Sequence, residues 1–200
     1  PPRSTLFPYT TLFRSQPQAS VWRCHDLVTG REVAVKVVDF EEDPRKARRA
    51  TREIQTLQSL TDPHTVRILD TGRDDDDHYV YIVMPVITGE SLSYRLRRGG
   101  MGVADVVSII QGVSSSLSEA HSLGICHRDV KPSNIMIHAS GAAVLLDFGI
   151  ASSLDQSSSL TATGTVIGTL PYMAPEVVRG EKATPAADVY SLGEIGRAHV

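Results

Sequence analysis

A single change of hydrophobic period, at Gly89, constrains the fold of this chain more than any other feature. Before it, apolar and β-branched residues fall in short runs bounded by turn formers; after it, they recur every three or four positions over long stretches. The first pattern suits strands and the second suits one face of a helix. Residues 20–24 and 32–40 flank Asp26-Leu27-Val28-Thr29-Gly30-Arg31, where Gly30 suits a turn, so they predict a β-hairpin. Residues 66–70 and 78–84 predict two more strands around Asp74-Asp75-Asp76-Asp77, a charge run that reads as a solvated turn. Between the two pairs, Asp43-Pro44 supplies a helix start, and Ala47, Ala50, Ile54 and Leu57 follow at helical spacing. Beyond Gly89, residues 91–98 predict a short helix and residues 103–123 a long one, with Val106, Ile109, Ile110, Val113, Leu117 and Ala120 on one face. Short strands are expected at 135–137 and 143–146 around a turn at Ser140-Gly141, and another helix begins at 188–192. The expectation is an α+β chain with a lobe boundary near Gly89.

The chemistry is concentrated in His127-Arg128-Asp129-Val130-Lys131-Pro132-Ser133-Asn134 and Asp147-Phe148-Gly149. An Asp and an Asn one tight loop apart, with a second Asp downstream, supply hard oxygen ligands of the kind Mg²⁺ prefers when it also binds phosphate oxygens. That spacing reads as phosphoryl transfer. Taken singly, each residue is more often a loop or capping residue. As an ordered set, continued by Gly168-Thr169 and Ala174-Pro175-Glu176, they make the chain resemble a protein Ser/Thr kinase of bacterial type.

The resemblance implies a two-lobed protein kinase fold: a small antiparallel sheet with one helix, then a mainly helical lobe that is truncated on its C-terminal side. It implies transfer of the γ-phosphoryl group of ATP, with Mg²⁺, to Ser/Thr hydroxyls of protein substrates. By the same resemblance Asp129 accepts or orients the proton of the attacking hydroxyl, Lys131 steadies the phosphoryl group, and Asn134 and Asp147 hold Mg²⁺. Val33-Ala34-Val35-Lys36 matches the strand that carries the phosphate-gripping lysine. Its carboxylate partner is Glu53, preferred over Glu41 and Glu42 because those precede the apolar helical repeat. Met84-Pro85-Val86-Ile87 resembles the adenine-reading segment, with the Pro85 carbonyl and both backbone groups of Ile87 as readers; proline lacks only the donor. Met84 then stands as gatekeeper, with Val21, Ala34 and Met136 as pocket walls. The Thr169 hydroxyl is expected to bond to Asp129 and Lys131, as in kinases that act on Ser and Thr. The Ser/Thr-rich stretch between Gly149 and Ala174 resembles an activation segment, with Thr161 and Thr163 as modification sites and Arg128 as their phosphate partner. Ser152 replaces a basic residue often found there.

The largest departure from the family lies before Val21, where Gly-x-Gly-x-x-Gly is expected and Arg14, Gln16 and Ala19 stand instead. Close backbone approach to phosphates needs glycine, so this chain is expected to hold ATP weakly. Residues 5–15 and 194–200 each back-translate to a common short-read sequencing adapter. Residues 1–15 and 194–200 are therefore expected to be foreign, with residues 16–88 forming the first lobe and hinge and 89–193 part of the second. A formal charge of -3 offers no basic excess, so no nucleic acid or anionic membrane partner is expected. Protein substrates are the expected partners, with self-association for autophosphorylation a further candidate. Cys24 and Cys126 lack metal-type spacing, no apolar run is long enough to span a bilayer, and a cytoplasmic location follows, with any anchor lying outside these residues. Two other readings stand beside the kinase: an inactive fragment or pseudokinase-like binding module, and a small-molecule phosphotransferase. Intact Lys36, Asp129, Asn134 and Asp147 argue against natural pseudokinase decay, and Lys131-Pro132 with Ala174-Pro175-Glu176 against the small-molecule phosphotransferase.

Overall fold

In the computed structural model, the described residues are 9–16, 19–40, 44–73, 79–148 and 170–199. They divide into two compact units, Pro1–Ser59 with Arg67–Val86, and Leu60–Val66 with Ile87–Val200.

The first unit is an antiparallel sheet of β1 (Tyr9–Gln16), β2 (Ala19–His25), β3 (Glu32–Asp39), β4 (Asp70–Arg73) and β5 (Tyr79–Pro85), in the order β1-β2-β3-β5-β4. Helix α1 (Pro44–Leu57) joins β3 to β4 and packs on β4 and β5. β3 is central, and every residue from Val33 to Val38 is buried, so both of its faces are covered. Strand alternation divides them. Val33, Val35 and Val37 cluster with Cys24 and Val83, flanked by Trp22, Tyr79 and Tyr81. Ala34, Lys36 and Val38 share the opposite face with their cross-strand partners Met84, Ile82 and Val80. α1 buries Ala50, Ile54 and Leu57, the expected apolar stripe.

Two strands differ from expectation. The segment expected at 66–70 forms its ladder at Asp70–Arg73, and only the Leu69 amide, donating to Val83 O, joins β5 earlier. β1 was not legible as a strand, yet it pairs with β2 along its length. Strand pairing supplies hydrogen bonds to any backbone, so a segment without apolar alternation can still complete a sheet edge.

The second unit contains β6 (Gly89–Ser91), α2 (Leu92–Arg97), α3 (Val103–Ser122), β7 (Ile135–His138), β8 (Ala143–Leu145), α4 (Pro175–Val178) and α5 (Pro185–His199). The sheet order is β6-β7-β8. β6 was not foreseen; Gly89 sits at φ +146°, and a Cβ there would stand 2.0 Å from Ile137 O, so only glycine admits this approach. Ser91 caps α2, its hydroxyl accepting from Tyr94 N at 3.2 Å. α3 buries Val106, Ile109, Val113, Leu117 and Ala120 at helical spacing and packs on α5 and β8. Ser116 interrupts that stripe, and its hydroxyl is matched by Thr65 Oγ1 at 2.6 Å. Thr65 belongs to a segment that bridges β8 in parallel: Leu145 N donates to His64 O and Val66 N to Leu145 O. The Glu119 carboxylate on α3 accepts from the Thr61 and Asp62 amides and from the Thr61 hydroxyl, at 2.9–3.1 Å. No helix among the described residues is long and apolar enough to cross a membrane.

Candidate functional site

The loop that carries the sequence motif lies wholly in the second unit and is shaped by its own residues. Pro132 holds Lys131 extended (φ -158°, ψ 160°) and opens a 3₁₀ turn, Pro132–Asn134. The turn carries Asn134 back to Asp129, where Nδ2 donates to the backbone oxygen at 2.9 Å and to Oδ2 at 3.0 Å. Lys131 Nζ stands 2.7 Å from the same Oδ2. Three of the expected site residues, Asp129, Lys131 and Asn134, are thus joined through one carboxylate oxygen. Asn134 is buried, whereas the Asp129 side chain keeps 30% exposure, so the carboxylate remains accessible to a reacting group. Leu146 N donates to Asn134 O, which ties the segment before Asp147 to this turn.

Two residues of the motif have left-handed backbone, Arg128 (φ 67°) and Asp147 (φ 57°). Such conformations cost about 1–3 kcal/mol each for residues other than glycine and need external support. Arg128 receives it from Asp188 in the first turn of α5, a buried carboxylate. Asp188 Oδ1 accepts from Arg128 N at 2.8 Å, and Oδ2 accepts from His127 N at 2.7 Å and pairs with His121 Nε2 at 2.8 Å. Sequence reading placed Asp188 only as the start of a helix. Its one signal was a carboxylate inside an apolar helical repeat, where an acidic group needs partners.

His127 is fully buried, with Nε2 donating to Leu146 O at 2.7 Å and Nδ1 accepting from Asp129 N at 3.3 Å. Burial lowers its pKa, which keeps the ring neutral and fits that division of donor and acceptor. Phe148 packs on the ring at a centroid distance of 4.7 Å. The histidine therefore joins the Asp129 loop to the Asp147-Phe148 segment, a role sequence reading had not assigned.

In the first unit, strand register groups another set of the expected residues. Lys36 pairs with Val21 on β2 and Ile82 on β5, and Ala34 pairs with Met84. Directly paired residues project to the same face, so Val21, Ala34 and Met84 share a surface with Lys36. Lys36 is 8% exposed there. Glu53 is half-buried on α1, beside Ile54. Pro85 ends β5 in this unit, half-buried; Ile87 and Met136, both half-buried, belong to the second, where Met136 pairs with Ser91 and Val144. Thr161, Thr163 and Thr169 lie outside the described residues, as does Gly149.

The described residues thus combine an antiparallel sheet bearing a buried lysine with a helical unit bearing an Asp-Lys-Asn loop. Residues 17–196 match the protein kinase domain family. The chain is 38% identical over 182 residues to the serine/threonine-protein kinase PknA of Mycobacterium tuberculosis, covering 88% of this chain and 42% of that protein. It is 38% identical over 178 residues to the serine/threonine-protein kinase PrkC of Bacillus subtilis, covering 88% of this chain and 27% of that one. It thus spans less than half the length of these curated relatives. The crystal structure of the Mycobacterium tuberculosis PknI kinase domain superposes with a TM-score of 0.73 over 98% of this chain and 74% of that one, at 23% identity, a likeness of fold. The chain belongs to the protein kinase domain family.

Proposed function

We propose that this chain is the catalytic part of a protein serine/threonine kinase that transfers the γ-phosphoryl group of ATP to Ser/Thr hydroxyls of proteins. The observation that carries the reading is the Asp129 carboxylate held by Lys131 and Asn134 within one loop. Oriented by Asn134, it accepts the hydrogen bond of an incoming hydroxyl and takes its proton as the new P–O bond forms. Lys131, 2.7 Å from that carboxylate, presents positive charge to the transferring group. The family uses ATP and Mg²⁺. The donor set fits the ion: Asn134 carries an amide oxygen and Asp147 a carboxylate, hard ligands of the kind Mg²⁺ takes. Bound Mg²⁺ would neutralise phosphate charge there.

In the first unit, Lys36 is the group for the nucleotide phosphates and Glu53 its carboxylate partner. Val21, Ala34 and Met84 supply apolar walls for adenine, joined by Met136, and the Pro85 carbonyl and the Ile87 backbone read its edge. Thr169 aligns Asp129 and Lys131, while Arg128 receives phosphate on Thr161 or Thr163 after self-association. Residues 16–88 and 89–193 are the two lobes, residues 1–15 and 194–200 are of foreign origin although β1 extends the first sheet and α5 runs to His199, and the setting is cytoplasmic. The bacterial relatives named as serine/threonine kinases support the protein substrate class.

Transfer of label from γ-labelled ATP to a Ser/Thr-rich acceptor protein, with Mg²⁺, tests the reading. The 200-residue chain should transfer slowly, and Arg14→Gly/Gln16→Gly/Ala19→Gly should raise its affinity for ATP. Asp129→Asn and Asp147→Asn should each abolish transfer in both backgrounds. Undiminished transfer in either carboxamide variant would overturn the assignment.

A further inference from the structure

We propose that a groove in the second unit, remote in composition from the transfer loop, docks an extended segment of the protein to be phosphorylated: an apolar residue flanked by one basic and one acidic residue. The substrate part of this inference rests on the kinase reading above. The groove encloses about 850 Å³ between α2, the first turns of α3, the β7–β8 turn and His64, and none of the residues given a role in transfer lines it.

Its walls are fixed and chemically incomplete. His64 Nδ1 donates to Ala143 O at 2.7 Å, and its ring lies against Gly112, where an added Cβ would stand 2.6 Å from Nδ1. The hydrogen bond to Ala143 O orients the ring, and this tautomer leaves Nε2 as an acceptor for a backbone amide. On the α2 side Arg95 and Arg98 share the single carboxylate of Glu90, at 3.6 and 3.3 Å. Two guanidiniums on one carboxylate leave that wall net positive, with most of their donors available to a second acid. From α3 comes Asp105, exposed, its carboxylate in no ion pair among the described residues. Met101, Ile109 and Ile137 give the lining an apolar part.

The pattern selects the occupant. A ligand of one sign would leave one wall uncompensated, and a nucleic acid would set its phosphates against Asp105 and Glu90. A flat lipid surface cannot enter a concavity. A polypeptide satisfies every element at once: its apolar side chain meets Met101, Ile109 and Ile137, its acid meets Arg95 and Arg98, its base meets Asp105, and a backbone N–H meets His64.

The test has two arms. In the first, labelled nonapeptides with a central leucine, a lysine two residues to one side and a glutamate two residues to the other, in both orders, are titrated with the full 200-residue chain by fluorescence anisotropy. One order should bind at least tenfold more tightly than an all-alanine peptide, and Asp105→Arg should remove the preference. Arg98→Glu/Asp105→Arg should transfer it to the opposite order. Asp105 and Arg98 are exposed, so circular dichroism should show the variants folded as the parent. No preference over alanine, or a preference untouched by Asp105→Arg, overturns the docking site. In the second arm the preferred segment is appended to a short Ser/Thr acceptor. KM should fall about tenfold at constant kcat, and Asp105→Arg should reverse this without affecting the short acceptor. Transfer with an unchanged KM overturns substrate docking. Peptide binding without any transfer would retain the groove as a peptide site and overturn the kinase reading alone.

Discussion

Replacing Asp188 should separate the anchoring of the transfer loop from its chemistry. The carboxylate is 1% exposed and accepts from two backbone amides, His127 at 2.7 Å and Arg128 at 2.8 Å, besides pairing with His121 at 2.8 Å. Asp188→Ala leaves both amides without an acceptor, at about 1–3 kcal/mol each, so a loss of about 2–6 kcal/mol is expected. That is a large share of a typical net stability of about 5–15 kcal/mol. Asp188→Asn retains one accepting oxygen and turns a donor toward the other partners, so it should cost about half as much, about 1–3 kcal/mol. Left-handed Arg128 loses its support in Asp188→Ala but keeps an acceptor in Asp188→Asn, so its neighbour Asp129 should lose alignment chiefly in the alanine variant. Urea unfolding followed by far-UV circular dichroism gives the stability. Hydrogen exchange at the His127 and Arg128 amides gives the local effect and should accelerate well beyond that of α3. A change of less than about 1 kcal/mol for Asp188→Ala, with both amides still protected, would refute the reasoning.

Three further outcomes follow from the same structure. Burial holds the His127 pKa below its ordinary value, so the folded chain binds fewer protons than the unfolded one: the stability it contributes is present above about pH 6.5 and is lost as pH falls toward the folded pKa; pH-dependent urea midpoints should show this, and His127→Gln should flatten the decline. Thr65→Val or Ser116→Ala alone should cost about 1–3 kcal/mol by stranding the other buried hydroxyl, whereas the double variant should cost clearly less than the sum, as a double-mutant cycle will register. Gly112→Ala should destabilise by about 1–3 kcal/mol despite its better helix propensity, because its Cβ meets the His64 ring; a thermal midpoint at or above that of the parent would mean that the ring moves freely.

The parts of this fold that sequence reading reached are those in which one segment's chemistry decides its structure. The stripe of α3 and the Ser91 start of α2 are local patterns, and the structure follows them to within a residue or two. The Asp129 loop was legible because Pro132 and Asn134 act on residues no more than five positions away. What was missed depends on distant partners. Residues 60–66 carry little pattern of their own, yet Glu119 and Leu145 bind their backbone from about sixty and eighty positions downstream and draw them into the second unit. Asp188 is similarly hard to read because its three partners, His121, His127 and Arg128, all lie sixty or more positions upstream.

Lys36 has a consequence for how the first sheet chooses its pairing. β3 is apolar on both faces, and a strand such as Val-Ala-Val-Lys-Val-Val without its lysine would find a shift of one position nearly as favourable, because each face would still receive small aliphatic groups. With lysine at position 36, a one-residue slip turns an ammonium into the cluster of Cys24, Val35 and Val83 and loses the surroundings of Val21 and Ile82. Desolvating an unpaired charge in that cluster costs more than the sheet gains by pairing in the wrong frame. The residue assigned to grip phosphate therefore also indexes the strand: the sheet can close in one frame only, and that frame presents the cation beside Val21, Ala34 and Met84.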